Sequence, residues 1–293
     1  MEKELENRIE EAGKKLEDKK VKILGIIFPL FGTLIRDKNP LHLNQEYAIK
    51  KGYPDRLAFG VMLEAQAEQR ITDIQRESGT PYFYSGHQFN FSSNNAFPGD
   101  MLTLGISRLE EKEEDLILDL NARKKDGKLV YLSKAKLTNN RPTIEERTDN
   151  PIRTDVVDIT KEQVNLFYRC LLIPQSSRVP YSFIASAIPK KLLDIATMET
   201  GEPQGVYRGA EFTFLNEPKL GETKTRIYVN GSPSIRQIRN RGVLYTYNFT
   251  GICYQEGKPI IKGDIEVGCG KEIKIEEEQE AKPIMGPEAR VVA

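Results

Sequence analysis

Apolar residues recur at two different periods along this chain, and the change of period organises it. Near the start, Leu5, Ile9, Ala12 and Leu16 form one narrow stripe, which predicts a charged surface helix over residues 2–19. Residues 40–50 read as a short helix with Asn44 as a candidate N-cap. After Gly60, the positions Val61, Met62, Ala65, Ile71 and Ile74 keep close to a helical period until Gly79-Thr80-Pro81 stops it. Strand texture then takes over at 82–92, 101–109, 114–123 and 128–138. Pro98-Gly99-Asp100, an acidic turn and Asp126-Gly127 separate these strands, and the last two form a hairpin around Lys124-Lys125-Asp126-Gly127.

Residues 139–153 are polar and contain Pro142 and Pro151, which predicts a linker. Beyond it the same order returns: a helix from about 180 to 198, then strands at 206–215, 223–230, 242–254 and 259–267. From Lys271 the chain is acidic and then contains Pro283, Gly286 and Pro287, as in a terminal arm.

The two stretches are a repeat. Gly86-His-Gln-Phe-Asn-Phe91 and Gly209-Ala-Glu-Phe-Thr-Phe214 share Gly-x-x-Phe-x-Phe at an offset of 123 residues. Gly99 and Gly221 keep step at 122, and Phe59 and Phe183 at 124. A helix followed by antiparallel strands must bury its apolar side on that sheet, and two such units can join edges. The expected fold is therefore α+β, with two central helices packed on a continuous antiparallel sheet. The expected domains are 1–150 and 151–293. One difference between the halves is informative: Phe31 to Phe59 spans 28 residues, whereas Phe167 to Phe183 spans 16. The extra residues include Asp37 and His42.

Composition narrows the function. Lys+Arg and Asp+Glu both number 43, so the basic excess of a generic nucleic-acid binder is missing. Cys170, Cys253 and Cys269 are scattered, which predicts no disulfide framework and fits a reducing compartment. With only His42 and His87, a metal site built from several His and Cys is not expected. The apolar stretch from Ile23 to Leu34 is interrupted by Gly25, Pro29 and Gly32 and is too short to span a bilayer. No signal core follows Met1, so the expectation is a soluble, cytoplasmic protein.

Candidate chemistry lies in Phe31-Gly-Thr-Leu-Ile-Arg-Asp37-Lys-Asn39-Pro40-Leu-His42. Asp37 and His42 flank Asn39-Pro40, which forces a turn into the next helix. A carboxylate beside an imidazole makes an acid–base pair, because histidine titrates near neutrality. Gly60 starts a helix and has no side chain to block its N–H, as an oxyanion donor requires. His87, on a strand beside Phe89 and Phe91, reads as a structural or pocket-lining residue, and the cysteines as small buried hydrophobes.

The string Asp-Lys-Asn-Pro-Leu-His, followed by Ala48 and Gly60-Val-Met62, resembles the signature of MaoC-like, R-specific enoyl-CoA hydratases. With Phe97-Pro-Gly-Asp100 the resemblance covers most of residues 24–138, while the second half shares only the scaffold. It implies a double hotdog with one active half and a hydro-lyase. Asp37 and His42 would activate water, the Gly60 N–H would polarise the thioester carbonyl, and Asn39, Phe59 and Met62 would contact substrate. The chain departs from the pattern at Arg36, commonly Gly, and at Phe59, often His. The expected substrate is an acyl-CoA or an acyl-carrier-protein thioester, with CoA entering only as part of the substrate and with no cofactor or metal. Thioester hydrolysis and non-catalytic thioester binding stand as alternatives. Hotdog units pair, so a homodimer is an expectation, although the duplication can supply that pairing internally.

Overall fold

The computed structural model describes residues 7–8, 11–12, 18–79, 82–112, 115–145, 147–188, 205–232, 234–238 and 242–271. The first half contributes strands β1 (Lys19–Lys22), β2 (Phe83–Phe91), β3 (Met101–Lys112), β4 (Asp115–Lys124) and β5 (Leu129–Thr138). The second contributes β6 (Arg153–Ile159), β7 (Gly205–Phe214), β8 (Gly221–Val229), β9 (Ser234–Ile238), β10 (Gly242–Gln255) and β11 (Lys258–Lys271). They form one antiparallel sheet in the order β1-β3-β4-β5-β2-β7-β11-β10-β8-β6, with β9 paired to β10.

Read outward from β2 and β7, the two ends repeat each other strand for strand. The register at the joint carries the same symmetry: Gly86 faces Thr213 and Asn90 faces Gly209. At the repeat offset Asn90 matches Thr213, so the two equivalent glycines face equivalent residues, as a self-complementary edge requires. The glycines also allow close approach, because a Cβ at Gly209 would lie 2.7 Å from the Phe89 carbonyl oxygen.

The first half's helices are α1 (Phe28–Leu34), α2 (Pro40–Leu43), α3 (Gln45–Lys50) and α4 (Gly60–Ser78); the second's are α5 (Lys161–Leu171) and α6 (Tyr181–Ala185). Seven consecutive residues of α4, Val61 to Ala67, are buried, so this helix is enclosed on all sides rather than laid on a surface. On β4 the buried positions alternate through Leu116, Leu118, Leu120 and Ala122, giving one face to the core. Helices α5 and α6 also pack on α4. Gly79 ends α4 in the left-handed conformation, with its N–H donating to the Gln75 carbonyl.

Several local expectations change. Of the predicted helix over 2–19, residues 7–8 and 11–12 are helical, Asp18 has no regular structure, Lys19 already belongs to β1, and the rest lies outside the described residues. The predicted helix over 40–50 is split at Asn44, whose Oδ1 accepts the Tyr47 N–H at 2.9 Å and caps the second piece. The helix expected over 180–198 begins at Tyr181, and residues 189–204 lie outside the described residues, as does the arm from 272 onward. Phe59 precedes its helix while Phe183 lies within α6, so helix starts match Gly60 with Tyr181 instead.

Candidate active site

The turn that carries Asp37 is built by its neighbours. Arg36 adopts φ +59°, reversing the chain after α1. The Asn39 N–H donates to Asp37 Oδ1 at 2.9 Å, and Asn39 Oδ1 accepts the Leu41 N–H at 3.0 Å. Asn39 therefore holds the carboxylate and caps α2 together, and Pro40 fits the first turn of that helix. Gly32 lets the turn sit against α1, since a Cβ there would lie 2.8 Å from the Asp37 carbonyl oxygen.

His42 is oriented from behind. Its Nδ1 lies 2.9 Å from the Leu57 carbonyl oxygen. A carbonyl only accepts, so Nδ1 carries the proton and neutral His42 presents an unprotonated Nε2. That Nε2 stands 3.8 Å from Asp37 Oδ2, with both side chains less than one-fifth exposed. The separation exceeds a hydrogen bond and suits one oxygen atom bound to both groups. Phe59 stacks on the imidazole with centroids 4.3 Å apart, and is itself packed by Phe28 and Phe31.

Gly60 follows Phe59 and opens α4, so its N–H has no acceptor within the helix. The ring of Phe91 covers it closely: a Cβ on Gly60 would lie 2.5 Å from Phe91 Cζ. Asp37, His42, Asn39 and Gly60 thus meet at one end of α4. Phe59 is 1% exposed and Met62 4%, so both sit in the core behind the dyad. Leu57, Gly32 and Phe91 were not singled out from the sequence. The Leu57 carbonyl leaves no side-chain signal, whereas Phe91 ends the repeated Gly-x-x-Phe-x-Phe.

His87 is buried, and its Nε2 lies 3.1 Å from the Tyr131 hydroxyl. Burial pushes its pKa down to about 3, so it stays neutral and lies off the dyad. Cys170 and Cys253 are free and buried, and burial raises both thiols, that of Cys253 to about 12. The side chain of Cys269 lies outside the described residues. Among the described residues no cluster of His, Cys, Asp and Glu could hold a metal, and no helix is long and apolar enough to cross a membrane.

The second half is closed at the equivalent place. Tyr181 stands where Gly60 does, and its ring stacks on Phe214 at 4.3 Å, as Phe91 packs on Gly60. The N–H groups of Tyr181 and Ser182 donate to the Glu68 carboxylate at 2.8 and 2.9 Å, and the Ser182 hydroxyl adds a third bond at 2.7 Å. The second helix start therefore has neither dyad, nor open glycine, nor spare donors at those two residues.

No family model and no curated protein sequence matches the chain. Solved structures do match. A protein described as a MaoC domain dehydratase from Chloroflexus aurantiacus has a TM-score of 0.63 at 9% identity, covering 87% of this chain and 94% of that one. A MaoC-like dehydratase gives 0.56 at 10% identity, covering 85% and 95%. A Mycobacterium tuberculosis protein with a double hotdog fold gives 0.57 at 11% identity, covering 86% and 94%. The chain has a double hotdog fold, similar in structure to the MaoC-like dehydratases.

Proposed function

We propose that the protein catalyses the reversible hydration of a 2-enoyl thioester to a 3-hydroxyacyl thioester, as a hydro-lyase with one site at Asp37, His42 and Gly60. The observation that carries this reading is the pair His42 Nε2 and Asp37 Oδ2, held 3.8 Å apart beside the start of α4. A water between them would give a hydrogen bond to Asp37 and present its oxygen to C3. As that oxygen bonds to C3, Nε2 takes the water's other proton and the double-bond electrons move through C2 to the thioester oxygen. The Gly60 N–H stabilises that enolate, a donor worth about 3 kcal/mol in comparable sites. Returning the proton from Nε2 to C2 restores the carbonyl, so the net change is addition of one water. The reverse sequence expels water.

CoA is the carrier we propose first, with acyl-carrier protein second, and the reaction asks for no other cofactor. Phe59 supports the His42 ring, and Met62 packs beneath the acyl group.

The test is loss of the enoyl-thioester ultraviolet band when purified protein meets crotonyl-CoA and a longer 2-enoyl-CoA. Asp37→Asn and His42→Ala are each expected to slow this by about 10²-fold or more, with little change in thermal unfolding. Near-normal turnover in either variant overturns the assignment. Free thiol appearing instead of hydration would replace it with hydrolysis, and saturable binding without any product would replace it with a binding role.

A further inference from the structure

Behind Gly60 the core is not uniformly apolar. Glu64 lies four residues on, roughly 6 Å along the axis and on the same face of α4. It is 3% exposed, and its Oε1 has no hydrogen-bond partner among the described residues. On the sheet, Phe91 faces Tyr131 and His87 faces Ala135 across β2 and β5, so His87, Phe91 and Tyr131 share one face. Tyr84, nearby on β2, is also buried, and its hydroxyl has no partner among the described residues. The site and this polar strip are therefore continuous: Gly60 leads to Glu64 along the helix, and Phe91 leads to Tyr131 and His87 across the sheet.

A buried polar atom without a partner loses its solvation for nothing. Of the buried positions of α4 around it, Val61, Met62, Leu63, Ala65 and Ala67 are apolar, while Gln66 is polar and its Nε2 donates to the Leu171 carbonyl. A hydrocarbon tail would be served best by continuing that lining. Glu64, one helical turn behind the carbonyl donor, and Tyr84 on β2 are instead both unsatisfied, which fits a ligand that brings its own hydrogen-bonding atom.

We propose that the acyl group of the substrate carries a hydroxyl a few carbons beyond the double bond, received by Glu64 and Tyr84. The proposal rests on the hydratase reading of the Gly60 site. A hydroxyl both donates and accepts, and so can satisfy both groups. Burial and the neighbouring Glu68 carboxylate hold the Glu64 carboxyl well above the usual carboxylate range, which favours its uncharged form. A carboxylate tail would meet Glu64 and Glu68 together, and an ammonium tail would lose its water for an uncharged carboxyl.

The experiment compares two 2-enoyl-CoA thioesters of equal length, one ending in hydroxyl and one in methyl, with their saturated analogues as unreactive ligands. For wild type, the hydroxyl member should show about tenfold higher kcat/KM, and its analogue about tenfold tighter binding, as one hydrogen bond supplies. Glu64→Leu should abolish or invert that preference and raise the Tm of the unliganded protein, while Glu64→Gln keeps the preference. Equal or tighter binding of the methyl analogue by wild type overturns the proposal, and that comparison needs no variant to fold. So does a Glu64→Leu protein with lowered Tm and an unchanged ratio. Preference between the analogues without Asp37-dependent hydration would remove the reaction assignment and leave the hydroxyl site standing.

Discussion

His42 donates through Nδ1 to the Leu57 carbonyl, and that bond decides which nitrogen faces Asp37. The turn beside it is set by Arg36, whose φ of +59° disfavours any side chain. Arg36→Gly should leave turnover and Tm close to wild type, because glycine accepts this conformation. Arg36→Val should lower both, because a β-branched side chain fits positive φ worse than arginine does, and the loss should show in denaturant unfolding. An unaffected valine variant would show that the turn does not need this geometry. Two buried groups set opposite pH slopes. The unfolded chain protonates His87 below about 6.5, whereas the fold keeps it neutral down to about 3, so stability is lost as pH falls through that window. Glu64, facing Glu68, Tyr84 and Tyr131, stays protonated above its ordinary 4.5, so its contribution is full below 4.5 and lost as pH rises. Urea unfolding across pH should show His87→Phe flattening the acid limb and Glu64→Gln flattening the limb above 4.5. Unchanged limbs would mean that these groups titrate normally. Asp37, Asn39 and His42 were legible because the turn is contiguous in sequence. Phe91 and the Glu64–Tyr84 strip were not, because only the α4-on-sheet packing brings them there.

Strand alternation in the sequence locates most of the sheet, including the β4–β5 hairpin, because one face of each strand is buried. The elements it does not reveal have physical reasons. Helix α1 contains Pro29 and Gly32, which look like breakers, yet Pro29 sits in its first turn where no N–H is needed. Strand β6 carries Arg153, Asp155 and Asp158 and buries only Ile159, and its start lies within the polar linker stretch. Helix α5 does carry a readable signal, the reciprocal capping box between Thr160 and Gln163. The start of α6 depends on Glu68, a residue 113 positions away from Tyr181, which local periodicity cannot reveal. Glu68→Ala would leave the Tyr181 and Ser182 N–H groups without that acceptor. The expected loss is about 2–3 kcal/mol, seen as a lower Tm, with kcat nearly unchanged because Glu68 lies off the Asp37 site. Glu68→Gln should recover part of it by accepting one bond. A wild-type Tm in the alanine variant would mean that another group caps α6.

At the scale of the whole molecule, the two halves repeat each other in the sheet and differ at the starts of their main helices. The β2–β7 joint is self-complementary, as an edge shared by two identical units would be, and it consumes the inner edge of each half. The loop before the main helix has diverged: the first half spends it on Asp37, α2 and His42, while the second runs directly from α5 to α6. The second half still matters, because α5 and α6 enclose α4 and Phe167 stacks on Phe31 at 5.6 Å, next to the aromatic support of His42. One half is thus the scaffold for the other's site. On the proposed function, the chain should bind one acyl thioester, not two. Calorimetric titration with a saturated acyl-CoA should give a stoichiometry of one per chain, and Asp37→Asn should remove essentially all turnover rather than half. Two equivalent sites, or half-retained activity, would mean that the Tyr181 end opens to substrate despite the Glu68 bonds that close it.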